Sequence, residues 1–106
     1  ILCERGIRTY EKAYRNTLDL NAVPILKEKS HLPVIVDPSH GIGLRKHIVP
    51  MTLAGLASGA DGVIIEIHET PEKAATDGQQ TIDFSEFNSL MKKVHSLSDV
   101  LSGWYN

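Results

Sequence analysis

A chain of 106 residues is long enough for one small hydrophobic core and too short for two. Its 42% hydrophobic and 23% charged residues describe an ordinary globular domain, and a formal charge of −2 exerts no general pull on nucleic acid or anionic membrane. One cysteine excludes an internal disulfide, and neither a run of roughly 20 apolar residues nor a signal-peptide pattern is present, so a cytoplasmic location is expected, with no nucleic-acid or membrane partner.

The chain opens in mid-strand on Ile1-Leu2-Cys3-Glu4, without a starting methionine, and reads as a piece of a longer protein. Strand alternation puts Cys3 and Arg5 on one face, with Cys3 one layer deeper, where a small buried hydrophobe is expected rather than a reactive thiol. Arg5, at the carboxyl end of the strand, requires an anion. Its planar fork suits phosphate or carboxylate, and a salt bridge to Glu4 or Glu11 would satisfy it equally. Gly6 to Thr17 is irregular, with Arg8, Lys12 and Arg15 among Tyr10 and Tyr14, a mixture that is usually solvated or binds a small anion. Asn21 is placed to cap a helix starting at Ala22, with Pro24 in its first turn and Lys27 and Lys29 at its end.

Pro33-Val34-Ile35-Val36 reads as a strand buried on both faces, stopped by Asp37-Pro38. Ser39, His40 and Gly41 follow directly, at the end of a parallel strand where sites gather in α/β folds. Gly41-Ile42-Gly43 lacks the third glycine of a nucleotide fingerprint and reads as a loop open to a ligand. Val49, Leu53, Leu56, Ala57 and Ala60 keep helical spacing, and Gly59 is a left-handed cap.

Asp61-Gly62 then turns into a third strand, Val63 to His68. Glu66 is anomalous there, because a carboxylate among aliphatic neighbours needs a cation, a proton or a metal, and Arg5 across the sheet is one candidate. His68 either serves the site or bonds to the following loop. In the polar loop 69–81, Asp77-Gly78 is a turn. Asp83 and Glu86 form a capping box, Ile82 and Phe87 a staple, and Phe87, Leu90, Met91, Val94, Leu97 and Leu101 the core stripe of a long helix. Gly103 to Asn106 reads as a tail without pattern.

Strand, helix, strand, helix, strand, helix, with polar groups at each strand's carboxyl end, is the order of a (β/α) barrel. A whole barrel needs about 250 residues, so the expected fold is α/β, with residues 1–106 forming the C-terminal portion, about three βα units, of a single (β/α)8 TIM-barrel catalytic domain. The missing N-terminal half-barrel is then a required partner, and a homo-oligomer is expected.

Leu2-Cys3-Glu4-Arg5-Gly6-Ile7-Arg8-Thr9, Arg15-Asn16-Thr17-Leu18-Asp19, Val36-Asp37-Pro38-Ser39-His40-Gly41, Ile65-Glu66-Ile67-His68 and Glu72-Lys73-Ala74 with Asp77-Gly78 closely resemble the 3-deoxy-7-phosphoheptulonate (DAHP) synthases. The likeness is to the form related to the octulosonate phosphate synthases. It implies a transferase that condenses phosphoenolpyruvate with erythrose 4-phosphate at the head of the shikimate pathway of aromatic amino acid biosynthesis. It also implies a divalent metal cofactor (Mn, Fe, Zn or Co). By motif, His40, Glu66 and Asp77 would be metal ligands and Arg5 would hold the phosphoenolpyruvate phosphate, a donor set that suits such ions. The family's cysteine ligand and its Lys-Pro-Arg-Thr-Ser motif lie on earlier strands, so this stretch alone is expected to be inactive. Two other readings are a sister enzyme acting on arabinose 5-phosphate and a non-catalytic interaction module.

Overall fold

The computed structural model describes residues 1–105. Three short parallel strands, β1 (Leu2–Glu4), β2 (Val34–Val36) and β3 (Gly62–Val63), form a sheet in that order. Leu2, Cys3 and Glu4 pair with Val34, Ile35 and Val36, and Ile35 and Val36 pair with Gly62 and Val63. Parallel neighbours need long crossovers, and helices supply them. α1 (Ala22–Lys29) joins β1 to β2, while α2 (Pro38–Gly41) and α3 (Ile48–Ala57) join β2 to β3. The chain ends in α4 (Phe84–Tyr105).

One apolar cluster lies between sheet and α1, where Val23, Val34 and Val36 are fully buried with Leu2, Leu26 and Val63 around them. A second joins α3 to α4 through Ile48, Ile82 and Leu90, flanked by Leu53, Phe87 and Val94. Each such side chain contributes about 1.5–3 kcal/mol when removed from water. The sheet's other face is open: Ile35 is only half-buried, and Cys3 and Ile64 are exposed. The expectations of a strand buried on both faces and of a buried Cys3 are thus corrected, because the helices pack on the Val34 and Val36 side.

Three further local expectations change. Asn21 makes no side-chain cap; its backbone is already helical, and the amides of Ala22 and Val23 are taken by Asp19 and Leu20 carbonyls at 3.1 and 3.2 Å. The third strand stops at Val63 instead of His68, because β2 bends away at Pro38 and leaves the later residues without a partner beyond the Ile64 amide on Val36. The chain re-pairs only at an isolated parallel bridge, Ile67 with Ile82. The expected tail is helical as far as Tyr105, whose hydroxyl donates to the Ala57 carbonyl at 2.8 Å, tying α4 to the end of α3; Asn106 lies outside the described residues.

Other signals hold. Gly59 closes α3 with a φ of +106°. The capping box of α4 is complete: the Asp83 amide donates to Glu86 Oε1 at 2.9 Å and the Glu86 amide to Asp83 Oδ1 at 2.7 Å. Arg45 joins this helix start to the loop before it, reaching Glu86, Asp83 and Glu72 at 2.8, 3.1 and 3.2 Å. Glu86 above all, by hydrogen bonding, raises the Arg45 pKa above its ordinary value. Among the described residues, no helix is long and apolar enough to cross a membrane.

Candidate metal centre and adjoining cleft

The centre is built where β2 ends. Pro38 cannot continue the ladder but fits the first turn of a helix, so Asp37 becomes the N-cap of α2. Its Oδ1 accepts the His40 amide at 3.0 Å, and its Oδ2 accepts His40 Nδ1 at 2.7 Å and Arg5 Nε at 3.2 Å. Asp37 is almost wholly buried, and one carboxylate thereby fixes both the imidazole and the guanidinium. Arg5 pairs with neither Glu4, Glu11 nor Glu66. Glu4 Oε1 instead accepts the amides of Gly6 at 2.7 Å and Asp19 at 3.2 Å.

Glu66 is brought to His40 by a side-chain device. Where the strand has outrun its neighbour, the buried Ser39 hydroxyl accepts the Glu66 amide at 3.0 Å. Glu66 Oε1 then stands 3.0 Å from His40 Nε2. Asp77 arrives from the following loop, with Oδ2 3.6 Å from the same nitrogen. Its φ of +53° is a left-handed conformation that aspartate tolerates better than most residues. The turn holding it is close-packed, since a Cβ on Gly78 would meet the Pro71 carbonyl oxygen at 2.7 Å.

His40, Glu66 and Asp77 thus present one donor atom each, all within 4.8 Å of one another. The chemistry of this set favours a cation. Because Asp37 accepts from Nδ1, that nitrogen carries the proton in the neutral ring, leaving the Nε2 lone pair facing two carboxylates. Three electron-pair donors converging on one point are stable together only around a proton or a metal ion. An imidazole held by a carboxylate through its other nitrogen is the usual outer arrangement of a metal-binding histidine. The residues present therefore fit a divalent ion.

Arg5 opens onto a cleft that it shares with Cys3, Ile35, Ile64, His40 and Glu66. Its side chain is 58% exposed, so its remaining guanidinium nitrogens are available to an anion there. Cys3 is raised above the ordinary thiol pKa, first by partial burial of its sulfur and then by the Asp37 charge, and stays a thiol at neutral pH. His68 stands apart from the cluster and closes a turn, with Nδ1 accepting the Thr70 amide at 2.8 Å.

Sequence reading overlooked the groups around the centre. In the sequence Asp37 marks only the stop of β2; its roles as the cap of α2 and as the link between His40 and Arg5 come from the structure. Gln80 and Thr81, both buried, reach Glu66 at 3.2 and 3.4 Å, and nothing in the sequence distinguished them from polar loop residues.

The fold and site define a parallel α/β segment with a metal-binding type of imidazole–carboxylate cluster at its strands' carboxyl ends. Residues 1–102 match the model of the DAHP synthetase I family, and the chain belongs to that family. It is 54% identical over 101 residues to a phospho-2-dehydro-3-deoxyheptonate aldolase of Thermotoga maritima, covering 95% of this chain and 30% of that protein. It is 31% identical over 113 residues to a 2-dehydro-3-deoxyphosphooctonate aldolase of Geotalea daltonii, covering 95% of this chain and 40% of the relative. A truncated form of 3-deoxy-D-arabino-heptulosonate 7-phosphate synthase from Thermotoga maritima superposes with a TM-score of 0.93 at 54% identity, over 95% of this chain and 38% of the other. The chain thus spans about a third of the length of the relatives it matches.

Proposed function

We propose that the complete protein condenses phosphoenolpyruvate with erythrose 4-phosphate, giving 3-deoxy-D-arabino-heptulosonate 7-phosphate and phosphate. Residues 1–106 would supply the sixth to eighth units of its (β/α)8 barrel, within one catalytic domain, and the missing half-barrel would cover the open sheet face. The observation that carries this reading is the convergence of His40, Glu66 and Asp77 beside Arg5. The three would hold a divalent ion (Mn, Fe, Zn or Co), which when bound acts as a Lewis acid on an oxygen of substrate or water.

The chain's own residues set the rest. Asp37 keeps the proton on His40 Nδ1 and so keeps Nε2 directed at the ion. With Nε engaged by Asp37, Arg5 offers its outer nitrogens to the phosphoenolpyruvate phosphate in a fixed orientation. The apolar patch of Ile35 and Ile64 lowers the polarity around these charges, which strengthens their hold on a bound anion. A reading as the octulosonate enzyme, using arabinose 5-phosphate, is kept by relatives such as the one from Geotalea daltonii; 54% against 31% identity favours the heptulosonate reaction.

The test is made on the complete protein. Product formation should require erythrose 4-phosphate, disappear after chelation and return with a divalent ion. Arg5→Ala should lower kcat/KM for phosphoenolpyruvate about 10–100-fold, the worth of losing a charged hydrogen bond or two. Turnover with arabinose 5-phosphate alone would transfer the protein to the sister reaction. An unchanged kcat/KM for phosphoenolpyruvate would leave Arg5 as nothing more than the ion pair of Asp37.

A further inference from the structure

Arg15 is the residue on which the surroundings of the cluster converge. It lies in the loop after β1, outside the metal-donor set. Its own amide donates to the Ile42 carbonyl at 3.2 Å, and the next residue, Asn16, bonds the Gly41 and His40 carbonyls at 3.0 Å through its amide and its side chain. The Arg15–Asn16 segment is thereby laced to the end of the short helix that carries His40. From that anchor, Arg15 Nη1 reaches Asp77 Oδ1 at 3.3 Å and makes a close hydrogen bond to Gln80 Oε1. Gln80 is fully buried, and its other end donates to Glu66 Oε1 at 3.2 Å.

We propose that Arg15 is a positioning residue that sets Asp77 and Glu66 in register with His40, so that the three donors are already aimed before a divalent ion enters. This rests on the reading of His40, Glu66 and Asp77 as metal ligands. Taking Oδ1 of Asp77 leaves Oδ2, the oxygen nearer His40, as the free donor, which makes Asp77 a one-oxygen ligand. Accepting from Arg15 fixes which way the Gln80 amide points, and its NH2 then holds Glu66. The Arg15 side chain is 45% exposed, so its guanidinium reaches these groups from the solvent side of the cluster.

The two possible effects of the guanidinium differ in sign, which makes the proposal testable. A positive charge beside a cation site opposes binding by simple repulsion, so removing it should tighten the metal. Removing a positioning group should weaken it, and losses of this outer-shell kind run to about 10–100-fold in affinity. The experiment titrates Mn2+ alone into metal-free complete protein, following the loss of free-ion electron paramagnetic resonance signal. It compares wild type, His40→Ala, Arg15→Ala, Arg15→Lys and Gln80→Ala with Arg15→Ala/Gln80→Ala, and circular dichroism confirms folding. We expect Arg15→Ala to bind about 10–100-fold more weakly, Arg15→Lys to recover part of the loss, and the double variant to be little worse than Arg15→Ala. Unchanged or tighter binding by Arg15→Ala, with wild type binding and His40→Ala not, overturns the proposal alone. A wild type that binds no Mn2+, or a His40→Ala variant that binds it equally, overturns the metal reading and the proposal with it.

Discussion

Gly55 sits inside α3, where a helix-favouring residue would ordinarily be better. A Cβ built there falls 2.5 Å from Val36 Cγ2, about 1 Å short of ordinary contact, because α3 lies directly on β2. Gly55→Ala therefore sets two terms against each other. Helix propensity returns about 1 kcal/mol, while forcing an extra methyl into a packed contact costs about 1–3 kcal/mol. The net is a loss of roughly 0–2 kcal/mol. Val36→Ala alone should cost about 2–3 kcal/mol, for two buried methyl groups and the space they leave. With those methyls gone, the atom nearest the new Cβ is Val36 Cβ at 3.4 Å, an ordinary separation. In the Val36→Ala background, Gly55→Ala should then stabilise by about 1 kcal/mol. The expected coupling of roughly 1–3 kcal/mol is measurable from urea denaturation of the four complete proteins, followed by circular dichroism. Equal effects of Gly55→Ala in both backgrounds would show that the α3–β2 contact is not what excludes a side chain at this position.

Asp37→Asn keeps the shape but puts an NH2 where Asp37 now accepts from Arg5 and His40, or else loses the amide cap. Metal affinity should fall about 10–100-fold and phosphoenolpyruvate use with it; calorimetric titration showing Mn2+ binding within twofold of wild type would refute the link. Asp83→Ala should cost about 1 kcal/mol and speed hydrogen exchange at the Glu86 amide, which it caps; unchanged protection there would mean that the box contributes nothing. Asp61 is held below the ordinary aspartate pKa, first by Lys27 and then by the Val34 amide. Its lowered folded pKa gives stability that is complete above the unfolded value and is lost as pH falls through the folded one. Because the pair is exposed, this is worth about 0.2–1 kcal/mol. The stability gap between wild type and Asp61→Asn should therefore close below about pH 4 in acid-denaturation curves; a gap constant from pH 6 to pH 2 contradicts this.

The elements that carry their own local signals were legible. The Asp83–Glu86 box starts α4 where the sequence places it, Gly59 ends α3, and Pro38 stops β2. Glu66 stood out because a lone carboxylate among isoleucines demands a partner, and the structure brings it to His40 instead of Arg5. What escaped was set by tertiary geometry. The Ser39 hydroxyl replaces a missing strand partner for Glu66, and this depends on where β2 bends, which no residue near Glu66 records. Arg15 and Asp77 meet from sequence positions 62 apart, and their spacing carries no period to read. The exposure of Cys3 escaped for a similar reason, since strand alternation tells which face a residue takes and not whether that face is covered.

The parallel sheet also fixes an order of events during synthesis. Each of its pairings joins residues about 30 positions apart, with no hairpin to bring neighbours together early. At the usual pace of translation, β1 waits roughly 2–6 s after emerging before β2 follows it out to pair with it. β3 imposes a second delay of the same length, and Asp77 follows later still. His40 and Arg5 can therefore be joined by Asp37 while Glu66 is still inside the ribosome, so the cluster is assembled in stages on a nascent chain. Proteolysis of ribosome-arrested chains of increasing length, compared just before and just after Val63 leaves the exit tunnel, reads that interval directly, as the point at which the β1–β2 pair gains its third strand.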